Sequence, residues 1–304
     1  MNSAFAPSAS IIELRNITYT ISHPDGTRRT ILDDVSFPVE EGSITCLMGT
    51  SGSGKTTLLR LMAGLIRPDA GEVLVFGRDL CSLKEHEINE VRREVGFVFQ
   101  YSALFDSLSV GQNIGFALER QRRPRKEINA VVTRLLDEVG LAGLENKRPS
   151  ELSGGMKKRV AMARALASNP KIVLYDEPDS GLDPIMTHTI DDLILQMRNE
   201  KKTTNVVVSH NVSSIWRIAD RVLMLNEGKI IADDSPHNLE TSNVPIVRQF
   251  LEGRARPPLP SETLASEPLV AEPLPPSRPD SLPASLPGLL PESQPDSPSP
   301  GPTA

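Results

Sequence analysis

An apolar run, SITCLMG, stops at Gly49 and opens into GTSGSGKTT (49–57), after which KTTLLRLMAGL sets apolar residues at helical spacing. Strand, glycine loop, helix is a demanding order. Glycines let backbone N–H groups curl inward around an anion, and the helix that starts at Lys55 adds its positive end to the same spot. The spacing of Gly49, four residues, Gly54, Lys55 and Thr56 is the Walker A pattern, placed between the strand and the helix that its mechanism needs. Thr50, Ser51, Gly52 and Ser53 complete the cradle. Lys55 is expected to reach the β- and γ-phosphates, Thr56 to ligate Mg²⁺ through its hydroxyl, and Thr57 to add a phosphate contact. The plain alternative is a Gly/Ser-rich turn that precedes a lysine.

The rest of the chain has to supply a sheet for that loop. ILDDVSFPVEEGSITCLMG reads as two short strands broken by EEG, and KTTLLRLMAGL ends at the turn IRPDAG. GEVLVFG and VGFVFQ read as strands, whereas 107–148, rich in Leu, Glu, Arg and Lys, reads as several helices. From 171 the strand KIVLYDEP, a helix over 184–200, the strand NVVVSH, a helix over 211–220 and a strand VLMLNEGKI alternate. That is the pattern of an α/β protein with a parallel sheet and crossover helices, interrupted by a helical insert.

Composition bounds what such a chain contacts. Residues 255–304 hold 15 of the 26 prolines and eight serines, with six acids against two arginines. A segment of that kind cannot bury enough apolar surface to order itself, so a disordered tail is expected over 254–304. It reads as a solvated extension or, through PLPPSRP, as a polyproline ligand. The remainder is close to neutral, which does not indicate bulk attraction to nucleic acid. Cys46 and Cys81 lack a C-x-x-C or His partner and are expected to be buried thiols. No stretch approaches the ~20 apolar residues of a membrane helix, so a membrane role is expected to come through a partner.

Two carboxylates end the strand KIVLYDEP. In a chain that also carries Walker A, Asp176 is expected in the Mg²⁺ shell and Glu177 as the acceptor of a proton from the attacking water, helix capping being the alternative for Glu177. Gln100 and His210 each follow a strand, where a polar residue often does no more than end it. Parallel strands deliver their C-terminal ends to one crevice, so Gly49, Gln100, Asp176 and His210 are expected to converge. An amide or imidazole there bonds a phosphate oxygen or positions water.

Walker A at 49–56, Gln100, LSGGM at 152–156, VLYDE at 173–177, SGLD at 180–183 and His210 together resemble the motif set of an ATP-binding-cassette (ABC) ATPase. The resemblance implies a P-loop NTPase cassette over 11–253, with a RecA-like core, an antiparallel β subdomain and a helical subdomain inserted at about 101–155. It makes Gln100 the Q-loop and a further metal ligand, Ser153, Gly154 and Gly155 the signature, Asp183 the D-loop and His210 the switch histidine. It implies ATP and Mg²⁺ as cofactors, and a head-to-tail homodimer in which each ATP lies between one phosphate loop and the other chain's signature. Ser153 to Gly155 suit that role, since a hydroxyl and bare N–H groups at a helix start can close on a γ-phosphate. Met156 stands where glutamine is common and is expected to tune geometry while activity is kept. Lys157, Lys158 and Arg159 add positive field near the phosphates or form a solvated helix face. The family stacks adenine on an aromatic residue, and here Ile21 sits near that place with Tyr19 two residues earlier on the same strand face. Tyr19 substitutes for it or is a plain strand residue.

SGGM, SALF after the Q-loop, DPI after the D-loop and VRQFLEG at 247–253 resemble the cassettes of Mla-type and chloroplast TGD-type lipid transporters and their Mce relatives. That implies an integral membrane permease and an Mce-domain lipid-binding protein as partners, no nucleic acid, and a peripheral position at the cytoplasmic face of the inner membrane. A permease helix is expected to enter a groove near Tyr101, Leu104, Phe105 and Leu108, residues that otherwise belong to the core of the helical subdomain. VRQFLEGR packs on a neighbouring cassette or covers its own core. Transport of another cargo, a soluble ABC ATPase without a transport role and a P-loop kinase are the rival functions. The kinase leaves LSGGM and His210 idle, and the soluble DNA or ribosome enzymes call for a long coiled coil or a second motif set.

Overall fold

Two sheets carry the fold in the computed structural model, which describes residues 10–22, 26–242 and 244–251. The first pairs β1 (Ser10–Ser22) with β2 (Arg28–Glu40) as a long antiparallel hairpin, in a sheet ordered β2-β1-β4-β5 with β4 (Ala70–Val75) and β5 (Arg78–Asp79). The second has the order β10-β9-β3-β8-β7-β6, built from β3 (Ile44–Gly49), β6 (Val95–Val98), β7 (Ile172–Asp176), β8 (Thr204–Val208), β9 (Arg221–Asn226) and β10 (Lys229–Asp234). All its pairings are parallel except β9 with β10. Strands β3, β7 and β8 are buried along their whole length, as continuous apolar runs covered on both faces must be.

Alternation along those strands divides the interior in two. Cys46, Met48, Val173 and Tyr175 face helices α3 (Val110–Arg120), α4 (Arg125–Glu138), α5 (Gly154–Leu166), α6 (Pro184–Lys201) and α7 (Val212–Ile218). Leu47 and Leu174 face the other way, onto α1 (Lys55–Met62) and the antiparallel sheet. Cys46 is buried, and burial pushes its thiol far above its ordinary pKa; Cys81 is half-buried.

Two readings of the sequence need correction, and one helix has no counterpart in them. β2 is not a short strand, because it runs the full length of β1 and begins at Arg28. VLMLNEGKI is two strands, since Glu227 and Gly228 both take positive φ and fold it into a hairpin. That is a tight turn inside what reads as one apolar run. A helix not anticipated, α2 (Glu85–Arg93), precedes β6, with Ile88 and Val91 as its buried pair.

Residues 107–148 form α3 and α4, followed by a single 3-10 turn at Pro149–Glu151 that leads into α5. Ser109 caps α3 by accepting from Gln112 N–H while Gln112 accepts from Ser109 N–H. After β10 come α8 (Pro236–Glu240) and α9 (Pro245–Leu251). Val247 is buried and Phe250 and Leu251 pack on the helix-side core, so this segment covers its own core. The tail over 254–304, with its disordered and polyproline readings, lies outside the described residues.

Candidate nucleotide site

Strands β3, β6, β7 and β8 end on one edge of the sheet, and the residues that follow them meet there. In the loop after β3, Gly49 has φ +140°, and a Cβ on it would stand 2.0 Å from the Leu225 carbonyl oxygen on the paired strand β9. Gly54, the N-cap of α1, has φ +106° and offers no side-chain cap, so the first N–H groups of that helix point into the loop unclaimed by a capping side chain. An anion is the natural partner for such a helix start. Lys55 is buried, and its Nζ donates to the carbonyls of Gly49 at 2.9 Å and Thr50 at 2.8 Å. Desolvation lowers its pKa, against the opposing pull of Glu177 and Asp176.

Opposite the loop, Thr56 Oγ1 donates to Asp176 Oδ1 at 2.8 Å. Burial raises the Asp176 pKa, Thr56 works in the opposite direction, and Glu177 adds to the rise. Glu177 is the hub of the site. Gln100 Nε2 donates to its Oε2 at 2.6 Å, and His210 Nε2 lies 2.9 Å from its Oε1. Its backbone has φ +49°, unusual for a residue with a side chain. Gln100, Glu177 and His210 line one cavity of about 480 Å³ with the phosphate loop.

Tyr19 and Ile21 line the same cavity at its β1 side, so strand alternation does put both on one face. Ser153, Gly154, Gly155 and Asp183 do not line it. Ser153 instead caps α5, accepting from Met156 N–H, and Asp183 caps α6, accepting from Met186 N–H. Gly154 is exposed with open space around it, and Gly155 is buried against Met186. Arg29, Ile31 and Arg60 also line the cavity and escaped the sequence reading. Arg60 had a signal: it lies one turn beyond Thr56 on α1, hence on the same face.

Of the cations after the signature, Lys158 and Arg159 are not a solvated face, while Lys157 is half-buried. Lys158 is buried and donates to the turn after β7, Arg159 donates to the carbonyls of Val139 and Gly140 at the end of α4, and Arg164 to those of Ser102 and Ala103. Those last bonds help hold the segment after Gln100, where Ser102 and Ala103 have positive φ. Buried Asn113 ties down the same segment through the N–H and carbonyl of Phe105. Leu104 packs on the core, while Phe105 lines an open groove of about 800 Å³ with Phe97, Phe99 and Phe116. Tyr101 is 87% exposed.

A phosphate loop at a sheet edge, with a carboxylate held between an amide and an imidazole above it, defines a P-loop nucleoside triphosphatase. A family model described as ABC transporter matches residues 32–180. The chain is 45% identical over 247 residues to Protein TRIGALACTOSYLDIACYLGLYCEROL 3, chloroplastic, of Arabidopsis thaliana, covering 75% of this chain and 71% of that one. It is 39% identical to the intermembrane phospholipid transport system ATP-binding protein MlaF of Escherichia coli K12, covering 83% and 92%. It is also 39% identical to the methionine import ATP-binding protein MetN of Geobacillus kaustophilus, covering 81% and 72%. Among solved structures, the dimeric post-hydrolysis state of the ATP-binding cassette MJ0796 bound to ADP and Pi superposes with a TM-score of 0.70 at 31% identity, covering 74% of this chain and 98% of that one. The chain belongs to the ABC transporter family, as an ATP-binding, ATP-hydrolysing transport subunit with the cassette fold. Among its described residues no helix is long and apolar enough to cross a membrane.

Proposed function

We propose that this chain hydrolyses ATP to drive the movement of phospholipid or another lipid between membranes. The observation that carries the cargo is its 39–45% identity, over most of both chains, to MlaF and the Arabidopsis protein. Its partners in this reading are an integral membrane permease and an Mce-domain lipid-binding protein. It would sit at the cytoplasmic face of the inner membrane, held there by the permease. The cassette spans 11–253, with its helical subdomain at about 101–155.

The site supports hydrolysis through its own residues. Lys55 and the N–H groups of the loop bind the triphosphate, and Tyr19 and Ile21 take the base. Glu177 accepts a proton from the attacking water, exchanging one of its two present bonds for that contact, while Gln100 and His210 fix where its oxygens lie. Thr56, Asp176 and Gln100 would hold Mg²⁺, and such an oxygen set leaves room for phosphate and water ligands, as magnesium requires. Mg²⁺ when bound neutralises charge on the β- and γ-phosphates. Ser153, Gly154, Gly155 and Asp183 stand clear of their own chain's cavity, which supports a head-to-tail homodimer with each ATP between Walker A of one copy and the signature of the other. The aromatic groove at Phe97, Phe99, Phe105 and Phe116 would receive the permease helix.

A pull-down of the tagged full chain from detergent-solubilised membranes, with mass spectrometry of proteins and lipids, tests the reading. Phospholipid should co-purify and raise ATPase turnover. A complex without lipid, whose turnover lipid leaves unchanged, would sink it. The similarity to MetN supports a second cargo, an amino acid, which the same preparation would reveal by stimulation with amino acids in place of lipid.

A further inference from the structure

Two lysines are buried among the described residues, Lys55 and Lys158. Lys55 belongs to the phosphate loop. Lys158 has no part in the chemistry above, and a buried ammonium is costly unless its donors are satisfied. Its three donors go to one short turn. Nζ donates to the Glu177 carbonyl at 3.3 Å, to the Ser180 carbonyl, and to Ser180 Oγ at 3.1 Å. Lys157, next to it on α5, is only half-buried.

The turn so gripped is the one that aims Glu177. With φ +49° its backbone is in a region that persists only where surroundings enforce it. Its N–H is fixed by the Val208 carbonyl at 3.0 Å, and Ser180 N–H donates to its carbonyl at 3.2 Å. The far side of the turn is held as well: Ser209 Oγ donates to buried Asp179 Oδ2 at 2.7 Å and accepts from Asn211 N–H at 2.9 Å, on either side of His210. The charge of Asp179 also helps keep the ammonium protonated against desolvation.

We infer that Lys158 is a positioning residue for hydrolysis, clamping the 177–180 turn so that the Glu177 carboxylate stays between Gln100 and His210. The clamp joins the helix that starts at Ser153 to the catalytic turn of its own chain. In the head-to-tail dimer proposed above, the start of that helix faces the other copy's nucleotide. Each chain's signature is thereby tied to its own carboxylate, and the two ATP sites share a rigid connection. The inference rests on the reading of Glu177 as the base.

Lys158→Met, Lys158→Arg and Glu177→Gln in the full chain, assayed side by side with Mg²⁺ and ATP, test it. For Lys158→Met we expect kcat to fall about 10- to 100-fold, the scale of a small misplacement of a catalytic group. Equilibrium affinity for ATP should stay within about twofold and Lys158→Arg should recover most of kcat, since substrate binding is not what the clamp serves. If Lys158→Met does not unfold cooperatively, Lys158→Gln is judged by the same measures. A kcat within about twofold of the parent overturns the inference, as does a loss matched by an equal loss of ATP affinity in each neutral variant. Unchanged Lys158→Met beside an inactive Glu177→Gln refutes the clamp alone; unchanged Glu177→Gln refutes the assignment of the base, and the clamp with it.

Discussion

Replacing Gly49 by alanine sets a methyl group against backbone that cannot yield. The new Cβ would stand 2.0 Å from the Leu225 carbonyl oxygen, more than an ångström short of ordinary contact. Leu225 faces Gly49 in the β3–β9 ladder, so relief requires opening the end of that pairing. Alanine at φ +140° adds backbone strain of about 1–3 kcal/mol, and a lost ladder bond adds about 1 kcal/mol. Together they come to about 2–4 kcal/mol, which for a domain of this size lowers Tm by about 4–16 °C. Gly77 provides the internal control, because it has φ +71° with nothing within 4 Å of a Cβ. Gly77→Ala should cost only the left-handed conformation, about 1–2 kcal/mol. Thermal unfolding of both variants without nucleotide, followed by ATP titration, gives the comparison. Gly49→Ala should be the less stable of the two and should bind ATP more weakly. Equal melting temperatures with undiminished ATP binding would refute the argument that the phosphate loop is wedged against β9.

Other outcomes follow from the same geometry. Glu177→Gln keeps the shape of the side chain and removes the proton acceptor, so turnover should fall about 10²- to 10⁴-fold; a dimer should accumulate with ATP and Mg²⁺ in size-exclusion chromatography, and monomer with full turnover would contradict the site. Asp176 carries a raised pKa, so its buried charge costs stability at neutral pH, and that cost disappears as pH falls through its folded pKa toward the ordinary carboxylate range. Asp176→Asn should therefore melt higher than the parent without nucleotide at pH 7, by a margin that narrows on acidification, while ATPase activity is lost. A margin that widens at low pH would reverse the assigned sign. Tyr19→Ala should weaken ATP binding by about 1–3 kcal/mol if the ring stacks on adenine; an unchanged dissociation constant leaves Tyr19 as a plain strand residue.

What the sequence determined by itself is local. Glycine spacing and an apolar run followed by helical periodicity prescribe strand, loop and helix at 44–62, because each depends on neighbouring residues alone. The alternation after 171 was readable for the same reason. Where a local signal was buried inside another, reading failed: the turn at Glu227–Gly228 hides in the run from Val222 to Ile231, and α2 lacks a strong start signal. Tertiary structure alone decided which side chains meet. Gln100 and Glu177 are 77 residues apart and share a hydrogen bond because β6 lies beside β7 in the sheet. The same holds for Lys158, whose place in a row of cations reads either as a wet helix face or as positive field near the phosphates. It became a buried clamp because α5 packs against the turn after β7, and strand order and helix docking are set by long-range burial that no short stretch encodes.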